Sequence, residues 1–214
     1  MILPMLLLSG VLTAATAAPA LDVHPEPYRE AVRAGALGSV TGRVTAEPSR
    51  PGGADEPIPQ VSVTLLPRSE ALLGRLAEIR RQARSNPSFY RTSARAVVEA
   101  RRALERSLAE VGGADLVRYL EVAPDGGFEL DRLPAGDWVI LAQYAVFIRK
   151  ESPDLKKGER EIFRRQPRMT GYYAVTVWLH ELAVVPGEVM WVELTDRNAW
   201  MTTIEEERAL GAGR

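Results

Sequence analysis

The side chains able to do chemistry are few, and their spacing suits little of it. The chain has two histidines, His24 and His180, and no cysteine. Glu181 follows His180, but no second histidine stands at i+4, where a helical zinc pair needs it. The lack of cysteine excludes a thiolate metal site, a cysteine nucleophile and a disulfide framework. No Gly-x-Ser-x-Gly elbow occurs, and scattered serines and aspartates do not define a triad. Asp125, Asp131 and Asp137 lie near turns and, with backbone carbonyls, would suit Ca²⁺. Hydrogen bonding of aspartate to its own turn explains them as well, and is the stronger reading. The segment "PGGAD" lacks the Gly-Lys-Ser/Thr end of a phosphate loop. These residues therefore give no catalytic, cofactor or metal set, and the chain reads as a non-enzyme.

Binding chemistry is better represented. In "GYYAVTVWLHE", Tyr173, Val175, Val177 and Leu179 alternate with Tyr172, Thr176, Trp178 and His180. In "EVMWVEL", Met190, Val192 and Leu194 alternate with Val189, Trp191 and Glu193. If these two strands pair, Trp178 and Trp191 share the face turned away from the aliphatic core. Together with Tyr172 they would form an aromatic strip able to stack on sugar rings or receive a partner protein. The opposing reading is that a helical hairpin lies over this strip. The hairpin's apolar stripes must pack on something, which makes cover the stronger of the two. Arginine-rich stretches between 75 and 106 and between 149 and 168 would meet an acidic polymer or lipid head group. Mixed signs at helical spacing more often mark a solvated face.

The elements that must carry these residues follow from periodicity. "GSVTGRVTA" (38–46) and "QVSVTLLP" (60–67) alternate as strands, separated by the Pro- and Gly-rich loop "EPSRPGGADEPIP". From Ser69 the period becomes helical. Leu72, Leu76, Ile79 and Ala83 form one stripe, with Ser69 as N-cap and Glu70 at the positive end of the helix dipole. "SNPSF" breaks this helix, and Val97, Ala100, Leu104, Leu108 and Val111 form the stripe of a second, ended by Gly112 and Gly113. The expectation is an antiparallel helical hairpin inserted between strands, replaceable by a short loop at limited cost. Strands resume with "LVRYLEVA", "GGFELDRL" and "DWVILAQYAVFI". Asp125-Gly126-Gly127 turns into Phe128, and Leu133-Pro134-Ala135-Gly136 turns again into Trp138. Trp138, Ile140 and Ala142 share a face that must be buried, with Phe128 and Leu130 expected beside them on an adjacent antiparallel strand. The tail after Asn198, with Glu205 to Glu207 in a row, reads as a short helix or disordered.

The order "GSVTGRV", Pro-rich loop, "VSVTLLP", "DGGFELDRLPAGDWVILA" and a final pair of strands around "VVPGEVMWVEL" resembles the carboxypeptidase regulatory-like domains. Trp138 stands where that family's LPxGxY motif has Tyr. The resemblance covers about 36–67 and 119–196 and implies an antiparallel, transthyretin-like β-sandwich; the helical hairpin departs from the family pattern. It implies no catalysis, since the zinc peptidase activity in the family's name belongs to a separate domain.

Composition places this domain. The apolar run Met5–Leu12, followed by Ala15-Thr16-Ala17 and Ala18-Pro19-Ala20, matches a secretory signal peptide, although no Lys or Arg precedes the run. That run is well short of the roughly 20 residues a membrane span requires. Net charge is −1, so no global field favours nucleic acid or an anionic membrane. The reading is a mainly β sandwich with an inserted α-helical hairpin, α+β overall. It divides into a signal peptide (1–20), an arm (21–36), a sandwich (37–197) with a hairpin at 69–112, and a tail (198–214). It would be a non-catalytic exported binding or structural module in the periplasm or at the cell surface, needing no cofactor. Its partner would be another envelope protein or a glycan, bound through an aromatic strip or loops, or it would serve an envelope enzyme or transport complex.

Overall fold

A computed structural model of the chain describes residues 22–48, 50, 52–150 and 167–210. The proposed signal peptide and most of the second basic stretch lie outside the described residues. The chain folds as a mainly β sandwich of two sheets, with a helical hairpin over the outer face of the large sheet and a short N-terminal helix at the mouth between the sheets. The elements in order are α1 (Glu26–Arg33), β1 (Leu37–Ala46), β2 (Glu56–Pro57), β3 (Ser62–Pro67), α2 (Glu70–Ser85), α3 (Pro87–Tyr90) and α4 (Ser93–Glu110). Then come β4 (Arg118–Glu121), β5 (Gly127–Pro134), β6 (Gly136–Arg149), β7 (Pro167–Val184), β8 (Val189–Thr195) and β9 (Met201–Leu210). The large sheet runs β4-β3-β6-β7-β9, all antiparallel. The small sheet runs β2-β1-β5 with β8 beside β1; here β1 and β8 are parallel.

Period-two alternation decides what each face of the large sheet meets. Trp138, Ile140, Ala142, Val63, Leu65 and Trp178 share one face and are buried. This face meets the small sheet, since the Trp178 indole Nε1–H donates to the Thr195 carbonyl at 2.6 Å. The small sheet's inward residues, Val40, Val44, Phe128, Leu130, Val192 and Leu194, complete that core. The other face carries Thr64, Leu66, Val139, Leu141, Val175, Val177 and Thr203. It lies under the helices: Arg101 of α4 donates to Thr64 Oγ1 at 2.7 Å, and Ser93 and Thr203 hydroxyls meet at 2.7 Å. The helices contribute Leu72, Leu76, Ile79, Val97, Leu104 and Leu108 to the same buried cluster as both sheets. The hairpin is therefore packed as a third layer on the large sheet.

Three strand expectations change. Strands β5 and β6 are not neighbours, because the Leu133–Gly136 corner carries the chain from one sheet to the other. Pro134 has no N–H for a ladder, Gly136 takes φ +146°, and Ala135 N–H donates back to Ala36 at 2.9 Å. Phe128 and Leu130 thus reach Trp138's core from across the sandwich. Strands β7 and β8 are likewise in different sheets. Gly187, at φ +76°, donates its N–H to the Leu37 carbonyl at 2.7 Å and sends β8 alongside β1. The described part of the tail is neither helical nor structureless: β9 pairs with β7 across Pro167–Val177, and its Glu205 and Glu206 are bridged to the hairpin's Arg95 and Arg91.

The hairpin is locked at its start. Ser69 Oγ accepts from Leu72 N–H at 3.0 Å and donates to Asp22 Oδ1 at 2.7 Å, while Asp22 Oδ2 accepts from Ala71 N–H at 2.8 Å. Burial pushes the Asp22 carboxyl up, but the hydrogen bonds from Ser69 and Ala71 outweigh it and hold it below its ordinary value. Ser69→Ala is expected to cost about 1 kcal/mol in a urea melt at pH 7. Because the folded-state value is the lower one, the Asp22 contribution is full above its ordinary value of 3.8 and fades as pH falls through the folded-state value. An Asp22→Asn variant should accordingly converge with wild type on acidification.

Candidate functional site

The sequence-derived aromatic residues are not brought together. Trp178 is 1% exposed and sits in the sandwich core. Tyr172 is half-buried on the far end of β7, opposite Ile148 and Glu206. Trp191 is 64% exposed and stands in the other sheet. The face carrying Trp178 is covered, but by the small sheet; the hairpin covers the aliphatic face instead. This inverts the expected assignment, because β7 is buried on both sides and alternation alone does not say which layer lies on which face.

What remains open is the outer face of the small sheet. Val192 and Leu194 point inward, so β8 turns Val189, Trp191 and Glu193 outward. Beside them in register on β1 are Ser39, Thr41 and Arg43, and beyond Thr41 stands Glu129 of β5. A shallow depression of about 620 Å³ is lined by Thr41, Arg43, Asp125, Phe128, Glu129 and Trp191. An indole edge and face, a guanidinium and carboxylates are thus displayed on a rigid sheet. Such a surface can stack a planar or ring-shaped group and hydrogen-bond its rim. Asp125 is partly spoken for, since its Oδ1 accepts from Gly127 N–H at 2.9 Å to close the turn.

Other features carry less chemistry. His24 and His180 are exposed, and no group of three or more His, Asp or Glu among the described residues could hold a metal ion. Tyr28 is buried beside Trp138; burial, then the nearby Asp137 carboxylate, push its phenol up to about 12, and it donates to the Asp137 carbonyl at 2.7 Å. That is a structural tyrosine, not an acid–base group. Arg68 ties the end of β3 to Glu181 of β7 at 2.7 Å and to Glu70 of α2. A groove of about 380 Å³ runs between α2 and α4, lined by Leu72, Arg75, Ala96, Glu99, Ala100 and Ala103. The sequence signal for it was the small residues at 96, 100 and 103, which are too short to close the gap. None of the described helices is long and apolar enough to cross a membrane.

No family model matches the chain, and no curated protein matches it. Among solved structures, it is similar to a candidate carbohydrate-binding protein from Pseudomonas aeruginosa, with a TM-score of 0.40 and 14% identity over 82% of this chain and 99% of that one. It is also similar to a minor pilin of Streptococcus agalactiae, with a TM-score of 0.31 and 8% identity over 84% of this chain. It spans about half of that pilin, 48% of its length.

Proposed function

We propose that the protein is a non-catalytic exported binding module of the bacterial envelope. In this reading it is a carboxypeptidase regulatory-like sandwich with a hairpin insertion, and its ligand surface is the outer face of the small sheet. The observation that carries it is Trp191, 64% exposed on a strand whose inward neighbours Val192 and Leu194 are buried. A tryptophan held in water on a rigid strand has no packing role to account for it, whereas aromatic residues dominate contact energy at binding surfaces. The ligand is a glycan or a segment of an envelope protein. In this reading Trp191 is the contact residue, while Trp178 is buried and Tyr172 lies in the other sheet.

Trp191 is also the reporter. Indole fluorescence should respond to titration with soluble peptidoglycan oligosaccharides or with a panel of extended peptides. In Trp191→Ala the bound state should weaken by about tenfold or more, a loss of about 1.4 kcal/mol or greater. Its melting temperature should match wild type. Binding that survives Trp191→Ala unchanged would place the ligand elsewhere.

A further inference from the structure

The sheet edges of this protein are not alike. Edge strand β9 carries Glu205, Glu206, Glu207 and Arg208, and the first two are held by hairpin arginines. Edge strand β4 is only 4 residues long and carries Arg118 and Glu121. Edge strand β5 alternates Glu129 and Asp131 and is broken by Arg132 at φ +56°. Short length, charge and backbone irregularity are the devices that discourage another strand from pairing. Strand β8 shows none of these along Val189–Trp191.

The backbone of β8 shows where the opening lies. The Glu188 carbonyl accepts from Ser39 N–H at 3.0 Å, so the peptide groups of 188, 190, 192 and 194 turn toward β1. Those of 189, 191, 193 and 195 turn away. Asn198 occupies the far end, donating to the Glu193 carbonyl at 2.8 Å and accepting from Thr195 N–H at 2.7 Å. Trp178 takes the Thr195 carbonyl. Val189, Trp191 and the Glu193 N–H are left, and the outward N–H and C=O groups of Val189 and Trp191 have no partner among the described residues. Their side chains are 65% and 64% exposed. The window is bracketed by the exposed carboxylates of Glu188 and Glu193, neither of which is ion-paired with a described residue. Arg43, beside Glu193 on β1, is the basic group of this register.

We propose that the β8 edge is a strand-addition site for an extended basic segment of another protein. This rests on the reading that the Trp191 face is the ligand surface. The incoming strand exchanges main-chain hydrogen bonds with Val189 and Trp191. Its Lys or Arg side chains on the outer face meet Glu193, a cation or aliphatic side chain lies on the Trp191 indole, and Glu188 adds negative charge at the start of the window. Pairing with a second copy of this chain would bring the glutamates of both β8 strands together, and like charges across a strand pair are unfavourable.

The test uses a blocked peptide alternating Val with Lys, and a Val/Glu peptide of the same length. Amide hydrogen exchange is read at Val189 and Trp191. The Val/Lys peptide should bind, slow both amides by about tenfold or more, and weaken with added salt; the Val/Glu peptide should do neither. Val189→Pro removes an outward N–H while sparing the bonds of β8 to β1, and Pro is tolerated on edge strands. It should weaken Val/Lys binding by about tenfold or more, while Val189→Thr leaves it unchanged. If Val189→Pro does not fold, the wild-type exchange pattern decides alone. Peptide binding without protection at 189 and 191, or protection in the peptide-free chain that rises with its concentration, would overturn the proposal. Oligosaccharide binding lost in Trp191→Ala, with no response to the Val/Lys peptide, would overturn strand addition and leave the Trp191 surface standing. No response to sugar or peptide would overturn both.

Discussion

Trp178→Ala and Trp138→Ala should each cost about 3–5 kcal/mol, against less than about 0.5 kcal/mol for Trp191→Ala. The two large losses share a cause. Trp138 has no exposed surface; its Nε1–H donates to the Pro134 carbonyl at 3.0 Å, and its ring meets Tyr28 edge-on with centroids 5.0 Å apart. Trp178 lies further along the same face, and its indole holds the Thr195 carbonyl where β8 ends. Truncation at either site opens a cavity between the sheets and strands a carbonyl that the indole had satisfied. Urea melts followed by far-ultraviolet circular dichroism would measure this. The losses are a large share of the roughly 5–15 kcal/mol that holds a domain together. Should either alanine variant fail to fold, Trp178→Phe keeps most of the ring and loses the N–H, and should be destabilised by a smaller amount. Trp178→Ala melting with wild type would mean that this face does not close on the small sheet.

Much of the architecture was legible, for a definable reason. Where one face of a strand is buried and the other wet, as at Phe128 and Leu130 of β5 or Val192 and Leu194 of β8, alternation reads directly as orientation. The hairpin helices were equally plain, since Leu72, Leu76 and Ile79 recur at helical spacing and are all buried. Strands β6 and β7 were harder. They are sandwiched between two layers, so Trp138 through Ala142 are buried without alternation, and no local pattern says which side meets helices. Partnering across short connections failed for another reason. The Leu133–Gly136 and Pro186-Gly187 stretches look like hairpin turns, yet each changes sheet, a choice made by distant contacts with Ala36 and Leu37. Strand β9 was hidden by its glutamates, since Glu205 and Glu206 pair with Arg95 of α4 and with Arg91 just before it, over 100 positions away. The exposed site was half legible. Trp191 could be assigned to the outward face of its strand from alternation, but its separation from Trp178 depended on sheet assignment.

Replacing residues 70–110 with a short Gly/Ser linker is expected to abolish cooperative folding, not to yield a trimmed sandwich. The helices cover Leu66, Val139, Leu141, Val175 and Val177 on the large sheet, all 7% exposed or less. Each buried aliphatic side chain contributes about 1.5–3 kcal/mol, as an upper estimate from area. Five such residues together rival the whole stability margin of about 5–15 kcal/mol. The stripe on α2 and α4 that faces them would be lost at the same time, and the uncovered sheet would present an apolar face prone to association. The shortened chain should therefore show no cooperative urea transition, or should aggregate. Because a poor linker could produce the same outcome, Leu76→Ala provides the companion test. Leu76 is fully buried on the inner stripe of α2, and its truncation should cost about 2–5 kcal/mol in the intact protein. A shortened chain that stays soluble and melts cooperatively, together with a Leu76→Ala variant near wild type, would show that the two sheets are sufficient. The small sheet would then be the sole cover the large one needs. With the hairpin as a required layer, the inner sheet is closed on both faces, and the outer face of the small sheet is left as the broad sheet surface turned to solvent.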